Sequence, residues 1–157
     1  MPAFPVDKSI MNTDFNISSL KKASESFYKS LDYAQKKEKK GLKNLDEYEF
    51  ETVRSSVIQH FEIVYELCWK TMQRFIKLEE DESVRIFTRK DIFRLSAQKG
   101  LIHNFDNWIN YHEARNKTTH LYDEKIANDV YEIIKIFKND LKLFIQTMDE
   151  FLVFLND

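Results

Sequence analysis

The scarcity of glycine and proline constrains this chain more than any other feature. Two glycines and two prolines occur in 157 residues, and both prolines fall within the first five. Proline lacks the amide hydrogen that a helix interior uses, and glycine costs backbone entropy there, so beyond Pro5 almost nothing interrupts long helices. An all-α fold is expected. Residues 1–15 carry the prolines and no sustained periodicity, which reads as a flexible lead-in; residues 16–157 read as one domain without internal repeats.

The apolar residues recur at helical steps of three and four. The first helix is expected to start near Ser18 or Ser19 as N-cap, to bury Leu20, Ala23, Phe27, Leu31 and Ala34, and to end in the lysine run before Gly41. The second runs from about Leu45 to Glu79, with Phe50, Val53, Val57, Phe61, Val64 and Cys68 on one stripe and Ile58, Tyr65, Trp69 and Ile76 beside it. So wide an apolar face belongs to a central helix buried on two sides. Thr88-Arg-Lys-Asp91 has the form of a capping box opening a short helix that closes at Gly100, and Asn104 can cap a fourth helix carrying Phe105, Trp108, Ile109 and Tyr111. Asp123 can cap the last, whose stripe runs from Ile126 through Val130, Ile134, Phe137, Leu141 and Met148 to Leu152. Five antiparallel helices, three long and two short, predict an up-and-down bundle.

Several function classes are excluded or made remote. With 24 basic and 26 acidic side chains the formal charge is -2, so bulk electrostatics do not draw the chain to a polyanion, and any nucleic-acid contact must be local. The basic clusters Lys36–Lys40 and Arg85–Arg94 read first as a solvated helix end and a connecting loop. No apolar run approaches the roughly 18 residues of a membrane span, and the N-terminus lacks the pattern of a signal peptide. The single cysteine, Cys68, sits in an apolar run and reads as a buried thiol in a reducing compartment, so a cytoplasmic location is expected. His103, His112, Glu113 and His120 lack a recognised ligand spacing, and neither a metal nor a cofactor is expected.

The most polar stretch between strong apolar stripes is Tyr111-His-Glu-Ala-Arg-Asn-Lys-Thr-Thr-His-Leu-Tyr-Asp123. Its residue types suit phosphate chemistry. Arg115 offers a planar, permanently charged fork for two phosphate oxygens, and His120 can give or take a proton. Together they could bind and cleave RNA, a base taking the 2′-hydroxyl proton, an acid protonating the departing 5′-oxygen and a cation holding the charge on phosphorus. The same residues also have plainer roles: Arg115 as a cap for helix carbonyls, His120 as a satisfied loop histidine, Tyr122 as a half-buried aromatic with a wet hydroxyl.

Arg115-Asn-Lys-Thr-Thr-His-Leu-Tyr122 resembles the Arg-x4-His-x-Tyr signature of HEPN-domain proteins, and more narrowly the nucleotidyltransferase substrate-binding protein family. The segment Val57-Ile-Gln-His-Phe-Glu-Ile-Val-Tyr-Glu-Leu-Cys-Trp-Lys70 resembles a second hallmark of that family, and with Arg89-Lys-Asp-Ile-Phe and Lys99-Gly-Leu-Ile the likeness spans about residues 18–145. The resemblance implies a dimerising helical bundle paired with a minimal nucleotidyltransferase as a toxin–antitoxin system. It implies a metal-independent RNase with Arg115 and His120 as catalytic residues, silenced when the partner transfers AMP to Tyr122. Asn116 and Thr119 fall inside the motif as supporting residues; Thr119 stands where most members have serine and keeps the hydroxyl. His112 departs from the usual apolar or acidic residue and shares the Arg115 face of a helix, so it could join the site.

Glu62, Glu66 and Lys70 follow at steps of four, which reads as a surface ladder, or, through the resemblance, as a face where Glu66 or Lys70 orients Arg115. Cleavage by hydroxyl attack needs an acid and a base, and each chain offers one strong candidate. Two copies of His120 facing across a two-fold axis would supply both, so a homodimer is expected. Two readings compete with the nuclease: a non-catalytic substrate-binding subunit of a two-component nucleotidyltransferase, and an assembly protein that keeps the motif for packing.

Overall fold

A helix cannot satisfy its own first amide hydrogens, and in this chain side chains just outside each helix take them. The computed structural model describes residues 15–41, 46–79 and 88–156. Within them lie α1 (Ser18–Lys39), α2 (Glu47–Glu79), α3 (Arg89–Gln98), α4 (Phe105–Lys117) and α5 (Glu124–Asn156), with a 3₁₀ turn at Thr118–His120. Most of the lead-in and Arg85 lie outside the described residues.

Thr88 and Asp91 form the expected reciprocal box, each accepting from the other's backbone amide at 3.1 Å. Asn104 accepts from the Asn107 amide at 3.0 Å and Asp123 from the Ile126 amide at 3.2 Å. At α1 the cap is Asn16 rather than a serine: its side-chain oxygen accepts from the Ser18 amide at 2.9 Å and the Ser18 hydroxyl at 2.8 Å. Asp46 does the same for α2, accepting from the Glu49 amide at 2.7 Å. Gly100, at φ 79°, ends α3 in a left-handed turn that lets the Leu101 amide reach back to the Ser96 carbonyl at 2.9 Å. The Thr88→Ala variant should lose about 1 kcal/mol, seen in urea as a lower midpoint at unchanged slope.

Packing follows the stripes. Val57, Phe61, Val64, Tyr65, Cys68, Met72 and Phe75 of α2 are buried, as a central helix requires. Phe137 of α5 is the hub, with Phe27, Phe61, Trp108 and Tyr111 edge-on to it at centroid distances of 5.6, 5.0, 5.7 and 5.0 Å. These rings come from α1, α2 and α4, so one side chain joins four helices. Phe15, assigned by sequence to the lead-in, is instead buried edge-on against Phe75 and Phe151.

Two polar ties set where α4 and α5 sit. Tyr111 Oη donates to Asp140 of α5, which also accepts from Asn107 Nδ2 at 3.1 Å. Burial and that carboxylate push the Tyr111 phenol well above its ordinary pKa. Arg54 of α2 is 5% exposed; it donates to Asn128 Oδ1 at 2.7 Å and lies 3.8 Å from Glu124, fixing the first turn of α5. Arg54 falls on the spacing of Phe50, Val57 and Phe61, which is the signal for its burial that apolar periodicity overlooks. Among the described residues no helix is long and apolar enough to cross a membrane.

Candidate active site

The motif begins inside α4 and ends at the cap of α5. No glycine or proline stops α4; two threonines do. The Thr118 hydroxyl donates to the Arg115 carbonyl at 2.8 Å and the Thr119 hydroxyl to the Asn116 carbonyl at 3.3 Å. These bonds take up carbonyls that the helix end leaves open, and the chain tightens into the 3₁₀ turn. Leu121 packs against the core, while its neighbours His120 and Tyr122 are exposed, Tyr122 at 85%. The two rings meet edge-on, with His120 Nδ1 3.2 Å from Tyr122 Oη.

Arg115 is held from the opposite side. Its Nη1 donates to Thr118 Oγ1 at 2.9 Å and lies 3.6 Å from Glu62 Oε2, while Nε lies 3.7 Å from Glu66 Oε1. Nε is enclosed and has no hydrogen-bond partner among the described residues. The guanidinium is thus bracketed by two carboxylates at ion-pair distance, with its direct hydrogen bond going to a neutral hydroxyl. An anion arriving there would compete with charge attraction, not with a saturated set of bonds.

Glu66 therefore does reach Arg115. Lys70 does not: it is exposed, with its ammonium 5.8 Å from the Trp69 ring. Glu62 is the second partner, and the apparent surface ladder is two carboxylates turned inward to α4. His112, Asn116 and Thr119 lie on α4 or just beyond it, with Asn116 Nδ2 3.5 Å from His112 Nε2.

Three residues that the sequence offers only as stripe, cluster or likeness positions, Arg89, Trp69 and Tyr65, lie beside the motif. Arg89, counted in a solvated basic cluster, stacks 3.5 Å over the Trp69 ring and donates to Tyr65 Oη at 3.1 Å. Trp69 Nε1 donates to Glu66 Oε2 at 2.9 Å. Burial pushes the Tyr65 phenol up to about 12, against the lowering effect of Arg89, so it keeps its proton at neutral pH. The Thr88–Asp91 capping box places Arg89 in a first helical turn, and the side chains that seat it there come from α2.

Glu47, Glu51 and Glu124 bring carboxylate oxygens within 4.8 Å of one another, all three exposed. This acidic group comprises none of the motif residues.

Residues 15–150 match the family described as "Nucleotidyltransferase substrate binding protein like". A Haemophilus influenzae protein named "Probable ribonuclease HepT" is 37% identical over 91 residues, which are 55% of this chain and 61% of that protein. The match thus spans less than two thirds of that relative's length. A Haemophilus influenzae structure described as revealing the fold of a substrate binding domain of a nucleotidyltransferase is similar with a TM-score of 0.76 and 27% identity, covering 85% of this chain and 99% of the other. A structure from Thermus thermophilus, 21% identical with a TM-score of 0.55 over 76% of this chain and 96% of its own, shares the fold. The match over residues 15–150, together with a bundle that superposes on a solved substrate-binding domain, makes this chain a member of the nucleotidyltransferase substrate-binding protein family.

Proposed function

We propose that this protein is a metal-independent endoribonuclease of the HEPN toxin type, working in the cytoplasm as a homodimer. The observation that carries this reading is the turn itself: Leu121 anchors it, His120 and Tyr122 stand out from it, and Arg115 is clamped at its base. In the reaction a base takes the proton of a ribose 2′-hydroxyl and that oxygen attacks the adjacent phosphorus. The bond from phosphorus to the 5′-oxygen breaks, and an acid returns a proton to the leaving oxygen. The products are a 2′,3′-cyclic phosphate and a 5′-hydroxyl. Two copies of His120 across a two-fold axis serve as base and acid, and Arg115 stabilises the anionic phosphorane oxygens. Thr119 and Asn116 support the turn, and Glu66 holds Arg115.

The partner is a minimal nucleotidyltransferase. Tyr122 Oη, on a ring that is 85% exposed, attacks the α-phosphorus of ATP on that partner; pyrophosphate leaves and the phenolic proton is lost. The adenylyl group then covers His120 and silences the site.

Purified protein incubated with RNA and excess EDTA tests the nuclease. Cleavage should persist in EDTA and fall by roughly 10²–10⁴-fold in His120→Ala, with helical content unchanged because His120 is exposed. Equal cleavage by wild type and variant would sink the reading. The likeness to a solved substrate-binding domain favours one alternative, a non-catalytic subunit that presents an acceptor to the nucleotidyltransferase. That reading gains if partner and ATP leave the mass of Tyr122 unchanged and no RNA is cut.

A further inference from the structure

His112 lies one helical turn before Arg115 and Asn116, so the three side chains share a face of α4. Its ring stacks on Tyr65 at 6.2 Å and meets Phe93 edge-on at 6.5 Å. Nδ1 lies 2.8 Å from Tyr65 Oη. The same oxygen accepts from Arg89, and a guanidinium has no lone pair to accept in return. The phenolic hydrogen therefore goes to His112 Nδ1, which leaves the ring hydrogen on Nε2, facing exposed Asn116. With that hydrogen on Nε2, Asn116 turns its oxygen rather than its nitrogen toward the ring, the two amide ends being exchangeable by rotation. Burial first, then the Arg89 cation, hold the His112 pKa below its ordinary value, against the opposite pull of Glu113 and Glu66. At neutral pH the ring is an uncharged donor. Arg89 closes a circuit back to the clamp: it stacks on Trp69, which donates to Glu66, which faces Arg115.

We infer that His112 is a phosphate-contacting residue whose Nε2–H donates to a non-bridging oxygen of the phosphodiester held by Arg115, replacing the long contact to Asn116. Tyr65 and Arg89 are positioning residues, acting through His112 by fixing which nitrogen carries the hydrogen. The inference rests on reading Arg115 as a phosphate ligand. A neutral donor suits the place, because it strengthens as charge gathers on the oxygens and requires no charge on a half-enclosed ring.

The intact protein, labelled with ¹⁵N-histidine, tests this by two-bond ¹H–¹⁵N spectra recorded with and without inorganic phosphate; His112→Gln assigns the resonance. The expected result is an Nε2–H tautomer whose signals move with phosphate, and mixed tautomers in Tyr65→Phe. A ring protonated on Nδ1, or one that ignores phosphate, overturns the inference. Binding of a 2′-O-methyl RNA, which cannot be cleaved by 2′-oxygen attack, should weaken roughly ten-fold in His112→Ala. It should recover in His112→Gln, whose amide nitrogen reaches the Nε2 position; equal affinity in all three proteins also overturns it. Wild type that cuts RNA with a silent His112 sinks this inference alone. Phosphate contact at His112 in a protein that leaves RNA intact sinks the nuclease reading alone, and neither result sinks both.

Discussion

Arg115→Ala is expected to lower RNA cleavage by roughly 10²–10³-fold, the usual loss when one stabiliser of a developing oxyanion is removed. The surroundings favour the upper end. Glu62 and Glu66 stay behind, and without the guanidinium their two carboxylates face the place where a phosphodiester would sit. Truncation thus exchanges a cation for an uncompensated pair of anions. Arg115→Lys should recover only part of the loss, because a point charge cannot bond Thr118 and grip two phosphate oxygens at once. A substrate-binding effect would raise KM alone; loss of transition-state stabilisation lowers kcat and kcat/KM together. Steady-state cleavage of a short RNA, beside a thermal melt of each variant, separates these outcomes. Alanine retaining cleavage within about three-fold of wild type would remove Arg115 from the chemistry.

The largest effect on stability should come from Phe137→Ala, at about 3–5 kcal/mol. Phe137 is fully buried and contacts rings from three other helices, so the surrounding helices cannot all move in to close the gap. For a domain of this size such a loss lowers Tm by roughly 6–20 °C. Calorimetry of the purified variant measures it. A drop under about 1 kcal/mol would mean that the aromatic hub is not what joins the bundle. Phe137→Leu, which refills most of the space, should cost less than half as much.

The helices were legible because their signals are local. A cap is decided within four residues, and an apolar stripe by the 3.6-residue turn, so Thr88, Asn104, Asp123 and the α5 stripe read directly. Asn16 was missed because Ser18 and Ser19 are equally good caps on paper; the choice depends on Phe15 and Ile17 reaching the core, which is a tertiary fact. The site was legible only in part. Spacing along one helix says which residues share a face and nothing of what lies opposite. Glu62 and Glu66 looked like an exposed ladder until α4 brought Arg115 between them. Arg89 looked like surplus positive charge, yet Trp69 and Tyr65, from a helix earlier in the chain, give it a seat. Arg54 sat in plain view on an apolar stripe, and its partner Asn128 is 74 residues away.

The loop that bears His120 and Tyr122 uses ordinary right-handed backbone throughout; among the described residues only Gly41 and Gly100 adopt positive φ, both far from it in sequence. Its shape is set by two threonine hydroxyls and a leucine, so exchange of the residues it displays need not disturb the scaffold. Reactive groups here are mounted like interchangeable fittings on a fixed bracket. A lineage could therefore replace the groups displayed there by single changes while the bundle beneath stays as it was.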